Sequence, residues 1–243
     1  MMRLGTLLIS CILGVAGMMY VPRAGKSVRP EMSVLAVEGR DGYECRYVEF
    51  VVGKDDGGKE RVRAYLLVPE GGSKHPAVLM LHDHGARFDI GKEKLVRPMA
   101  ELLEDGAEDH IMKSSRQWID KNFDGVYLAD SLASLGYVVL VADALYWGER
   151  SSEDAQRWSE LSYGNQQITK AVKDSIKVLK NSVNDGQKVL YDELYSRNVI
   201  WAEKMLRDDI ASVRLLKSLS FVDSKRIGAF GFSMGAHRCW MLA

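Results

Sequence analysis

The chain has 243 residues, 47% of them hydrophobic and 27% charged, which is ample for one sizeable core and too short for two ordinary domains with a linker. Thirty-three Lys and Arg balance thirty-three Asp and Glu, so no overall field draws in nucleic acid or an anionic membrane surface. The three cysteines form no Cys-x-x-Cys pair or Cys/His cluster, so neither a zinc site nor a disulfide framework is expected, and Cys45 and Cys239 read as buried free thiols.

Residues 1–24 have an early positive charge at Arg3, then an apolar run free of charge until Arg23, the layout of an export signal. Val15-Ala16-Gly17 offers small residues for cleavage, while Leu8-Ile9-Ser10-Cys11 also fits a lipoprotein box with lipidation at Cys11. The expected location is the periplasm or cell envelope, with membrane contact only through this segment, as a cleaved signal, a lipid anchor or an uncleaved anchor. Residues 25–42 are polar and punctuated by Gly and Pro, a leader rather than an element. The folded domain is expected over 43–243.

Tyr43 to Val52 and Arg61 to Val68 alternate apolar with polar around a Gly-rich turn, the pattern of a hairpin. Ala77 to Leu81 is apolar throughout, the mark of a strand buried on both faces, and it ends in His82-Asp83-His84-Gly85. Pro98 to Glu104 suggests a short helix with proline at its start, Asp105 to Lys121 a charged loop, and Gly125 to Leu135 a helix stopped by Gly136. Tyr137 to Ala142 is a second buried strand, ending at Asp143. From Ser151 to about Asn198 the chain is polar and helical in pattern, broken by Gly164 and Gly186, and it carries Trp158, Tyr163, Tyr191 and Tyr195. Ile200 to Leu219 places Ala202, Leu206, Ile210, Val213 and Leu216 on one face, with Asp208 among the polar residues opposite.

The run Ile227 to Phe232 then leads through Gly231-x-Ser233-x-Gly235 into a helix. Strand, tight turn and helix with serine at the apex make a nucleophile elbow, in which the glycines remove side chains that would collide with strand and helix. The serine hydroxyl is held at the carboxyl edge of a sheet, and the Met234 amide points where an oxyanion would form.

Gly-Phe-Ser-Met-Gly-Ala-His at the elbow, the preceding Val-Asp-x-x-Arg-Ile-Gly, Leu81-His82-Asp83-His84-Gly85 and Asp143-Ala144-x-x-x-Gly148-Glu149-Arg150 together resemble the dienelactone hydrolase and acetyl-xylan-esterase-like branch of the α/β-hydrolases. The resemblance runs from about residue 45 to the end. It implies an α/β fold, with a mostly parallel sheet opened by an antiparallel hairpin and helices on both faces. It also implies hydrolysis of a carboxylic ester, acetylated carbohydrate among the candidates, through an acyl-enzyme on Ser233. No cofactor is implied.

The family's strand order puts the loop after Leu81 beside Ser233, and a backbone amide between His84 and Arg87 would be the second oxyanion donor, with Gly85 and Ala86 foremost. His82, His84, Arg87, Asp143, Trp147 and His237 would line the site, Asp143 organising its loop, with Arg150 as a candidate partner. His82 and His84 could instead only bond loop backbone; as a metal pair they would need ligands from among His75, His110 and His237. Residues 151–198 would form a helical cap over the pocket. In this fold the triad acid and base follow the serine, so the chain is expected to be a C-terminally truncated fragment lacking both. Two other functions share the elbow: a serine peptidase of the prolyl-oligopeptidase type, and a non-catalytic binding module on the same fold.

Overall fold

The apolar runs become one mixed sheet in the computed structural model, which describes residues 30–55, 58–72, 74–106 and 109–243. Its six strands are Met32–Arg40 (β1), Tyr43–Asp55 (β2), Gly58–Pro69 (β3), His75–Leu81 (β4), Val138–Ala142 (β5) and Val222–Gly231 (β6), in the order β1-β2-β3-β5-β4-β6. β4 pairs in parallel with β5 and with β6, while β1, β2, β3 and β5 pair antiparallel in succession. All of β5 is buried, as its unbroken Val-Val-Leu-Val-Ala requires between two covered faces. The export signal expected over 1–24 lies outside the described residues.

Among the described residues six α-helices surround the sheet: His110–Phe123 (α1), Leu128–Ser134 (α2), Glu153–Tyr163 (α3), Lys170–Ser196 (α4), Trp201–Ser218 (α5) and Met234–Leu242 (α6). Val213 and Leu216 of α5 and Leu242 of α6 cover Phe50, Leu66, Leu79 and Leu140 on one face. On the other, Leu95, Val96 and Met99, with Ala129 and Ala133 of α2, cover Tyr65, Leu67, Met80 and Val141. A third cluster joins the loop after β5, through Leu145, Tyr146 and Trp147, to Phe88, to Val183 and Leu194 of α4, and to Met205 of α5. No described helix is long and apolar enough to cross a membrane.

The structure corrects five expectations about elements. The 25–42 leader contains β1, a margin strand whose Val34, Leu35 and Val37 stay about half exposed, so no buried alternation marked it. Pro98 to Glu104 holds only a 3-10 turn, Ala100–Leu102. The supposed loop after Asp105 holds α1, capped by Asp109, whose carboxylate accepts from the Ile111 amide at 2.6 Å. Its inner face is Met112, Ser114, Ser115 and Ile119, and the two serines hide the helical period. α4 runs unbroken through Gly186. Asp208 of α5 is buried, its carboxylate 2.8 Å from Arg150.

Candidate active site

β6 ends at Gly231 and α6 starts at Met234, leaving Ser233 exposed between them at φ 53° and ψ −118°. A non-glycine residue there carries about 1–3 kcal/mol of strain, which the surrounding packing must sustain. The glycines show how: a Cβ on Gly231 would overlap the Gly235 carbonyl, and one on Gly235 would overlap the Leu81 carbonyl and lie 3.0 Å from the His82 oxygen. The elbow is thus wedged against the carboxyl end of β4. Met234 packs its side chain on the third cluster; its amide opens α6, where no preceding helical carbonyl is available to it. Arg238 holds α6 to α5 through a buried two-pronged pair with Asp209 at 3.0 and 2.6 Å.

Beyond β4, His82 is fully buried. Its Nε2 accepts from the Ala144 amide at 3.0 Å, so the proton sits on Nδ1, which donates to the Asp83 carbonyl at 2.9 Å. Burial, and then Lys94, hold it well below the usual histidine pKa. Both ring nitrogens are committed to backbone, so His82 ties β4 to the start of the β5 loop and is free neither to ligate a metal nor to take a proton from a serine. His84 is half-buried, packed edge-on against Phe88 and Trp147, and its Nδ1 accepts from the Ala86 amide at 3.1 Å. Gly85 and Ala86 both have positive φ, 55° and 50°. Arg87 turns away toward α1 and α3, where it bonds Ser114 and lies over the rings of Trp158 and Tyr163.

Asp143 is buried and does organise its loop, but its charge partner is Lys92, not Arg150. It accepts from the Lys92 amide at 2.7 Å, from Lys92 Nζ at 2.8 Å and from the Glu149 amide at 3.2 Å. Arg150 meets Asp143 at the main-chain carbonyl, at 3.1 Å, and directs its charge to Asp208 and Glu60 instead. Glu93, Asp143 and Glu149 converge as a divalent cation would require, yet the Lys92 ammonium fills the place between them, at 2.9, 2.8 and 2.6 Å. Burial alone would lower the Lys92 pKa; Asp143, Glu93 and Glu149 outweigh it and hold Lys92 charged. Trp147 is buried and donates through Nε1 to the His84 carbonyl at 3.0 Å. His237 lies exposed on α6 with its ring 5.7 Å from that of Trp240.

The structure therefore gathers Ser233, Met234, His82, His84, Gly85, Asp143 and Trp147 around the carboxyl ends of β4, β5 and β6, and directs Arg87 elsewhere. Lys92, Lys94 and Trp118 were missed. Gly91-Lys92-Glu93-Lys94 has the composition of a solvated turn, and nothing in that spacing announces two buried ammonium groups. A groove of about 680 Å³ lined by Tyr47, Tyr65, Glu93, His110, Glu149 and Gln156 among others draws no lining residue from the elbow.

A protein-family model described as the dienelactone hydrolase family matches residues 118–243. A Bacillus subtilis (strain 168) protein named "Putative hydrolase YtaP" is 29% identical over 195 residues, covering 78% of this chain and 46% of its own length. A Bacteroides fragilis NCTC 9343 crystal structure, described as a "putative acetyl xylan esterase", superposes with a TM-score of 0.59 at 16% identity, over 88% of this chain and 44% of that one. This chain thus spans a little under half the length of each of these two relatives. The second likeness is one of fold: a mixed sheet with surrounding helices.

Proposed function

Since the chain belongs to the dienelactone hydrolase family, and so to the α/β-hydrolases, we propose that it forms part of a serine esterase that cleaves a carboxylic ester through an acyl-enzyme on Ser233. The observation that carries this is the exposed serine at φ 53°, held in a strained turn by two glycines that admit no side chain. Strain of that kind survives at sites where geometry is used. Ser233 would attack the carbonyl, and the Met234 amide would hold the oxygen as it becomes negative. Its base and acid would follow the serine in chain order, as this fold arranges them. The committed nitrogens of His82 support that placement, because this histidine has no lone pair left for a proton. Helices α3 and α4 would serve as the cap. An acetylated carbohydrate is the proposed substrate class, in keeping with what the Bacteroides neighbour is described as.

The test is turnover of acetyl esters and of peptides, together with labelling by a fluorophosphonate, on the protein as its gene encodes it. Ester hydrolysis and covalent labelling are expected, and Ser233→Ala should abolish the label and lower kcat by about 10⁴-fold or more. Retained ester turnover in that variant would sink the proposal, and cleavage of peptides in preference to esters would transfer it to the peptidases. We propose in addition that residues 1–24 direct export; fractionation of cells carrying Cys11→Ser separates a lipid anchor from a cleaved signal.

A further inference from the structure

Two donors converge on adjacent carbonyls in the loop after β4. Lys94 Nζ, on a fully buried side chain, donates to the Asp83 and His84 carbonyls at 3.0 Å each, and Trp147 Nε1 donates to the His84 carbonyl at 3.0 Å. An ammonium buried for the sake of main-chain oxygens is costly. Burial pushes the Lys94 pKa down to about 8, and its nearest carboxylate, that of Asp83, stands 4.0 Å away. The Trp118 ring lies under it, with the ammonium 5.0 Å from the ring centre. A hydrophobic side chain would fill this space more cheaply, so what distinguishes lysine here is the pair of oxygens it holds.

Described peptide bonds are all trans, and across a trans peptide the carbonyl and the next N–H point in opposite directions. With the Asp83 and His84 carbonyls drawn to Lys94 and Trp147, the amides of His84 and Gly85 face the other way. Strand order says which way that is. β4 lies between β5 and β6. Trp147 follows β5, and the 3-10 turn Lys92–Lys94 is tied to Asp143, at the end of β5, through Lys92. Ser233 arrives from the opposite side, on β6, with its elbow against the Leu81 and His82 carbonyls. The Ala86 amide is already spent on His84 Nδ1. Gly85 must stay glycine, since a Cβ there would overlap the Trp118 ring.

We propose that Lys94 and Trp147 form a clamp on the Asp83 and His84 carbonyls that turns the Gly85 amide toward Ser233 as the second oxyanion donor. Lys94 is then a positioning residue acting through the backbone. This rests on the esterase function proposed above.

Lys94→Met and Trp147→Phe, made in the protein as its gene encodes it, test the clamp by ester kinetics. Fluorophosphonate titration to completion counts competent sites, so that kcat is expressed per labelled Ser233 and a loss of folded protein does not register. Lys94→Met should lower kcat per site by about 10-fold or more with KM within about twofold, the pattern of a group acting only in the transition state. Trp147→Phe, which keeps a ring but loses the donor, should lower kcat in the same sense by less. An active wild type whose variants keep kcat per site, or change only KM, overturns the clamp alone. Should Lys94→Met fail to fold, Trp147→Phe decides on the same criterion. A wild type that neither labels nor hydrolyses esters overturns the esterase function, and the clamp with it.

Discussion

Gly235 shows how little room the elbow leaves for variation. Its missing side chain is the space occupied by the Leu81 carbonyl, and a backbone oxygen at the end of a buried strand cannot step aside as a flexible side chain could. Gly235→Ala should therefore cost about 1–3 kcal/mol or more, as overpacking of a filled interior does. Gly228→Ala on β6, where a Cβ would meet nothing within 4 Å, should cost much less. Chemical denaturation of the two variants side by side checks the contrast, and equal losses would mean that the elbow is not wedged on β4. At this scale the residue types were legible: Gly-x-Ser-x-Gly already said why two positions had to be bare. The tautomer of His82 was not, because it depends on Ala144, 62 positions away in the chain.

Among elements, those read correctly were those whose apolar pattern matched their burial. β4 and β5 are continuous apolar runs between covered faces, and α5 repeats at helical spacing. Those missed had broken that correspondence. α1 buries serines that bond inward, Ser115 to the Glu93 carbonyl at 2.6 Å and Ser114 to Asp89, so its core-facing side reads as polar. Gly186 misled in another way. It suggested a helix break, yet α4 passes through it because the Tyr146 hydroxyl fills the place of a Cβ. That hydroxyl donates to the Val183 carbonyl at 2.8 Å, pinning α4 to the loop after β5. Gly186→Ala should thus destabilise the wild type, whereas in a Tyr146→Phe background it should stabilise by up to about 1 kcal/mol, the helix-propensity difference between the two residues. A thermal-denaturation double-mutant cycle reads the reversal of sign, and the same sign in both backgrounds would show that Tyr146 is not the obstacle.

Across the molecule, Glu149 is where separate parts meet: its carboxylate takes bonds from Lys92 in the 3-10 turn, Tyr47 of β2 and Arg63 of β3. Burial would raise its pKa, but Lys92, Tyr47 and Arg63 together bring it from 4.5 down to about 2. A carboxylate depressed in the folded state adds stability that is complete above its unfolded value and lost as pH falls through the folded one. The contribution should therefore disappear between about pH 4.5 and about pH 2. Glu149→Gln should be less stable than wild type at neutral pH, with the gap closing across that window; a gap independent of pH would leave the ion cluster without a part in acid unfolding. Buried Glu93 is pushed in the opposite direction, upward, by the same enclosure.

One margin of the sheet remains to be considered. β6, which delivers Ser233, has β4 on one side and no described strand on the other, while Phe230, Phe232 and Trp240 stand exposed around it. Among the described residues the serine's strand is thus anchored through β4, and its helix through the buried Arg238–Asp209 pair that fastens α6 to α5. Loss of that pair would thus unseat the nucleophile while leaving the far strands β1 to β3 as they are.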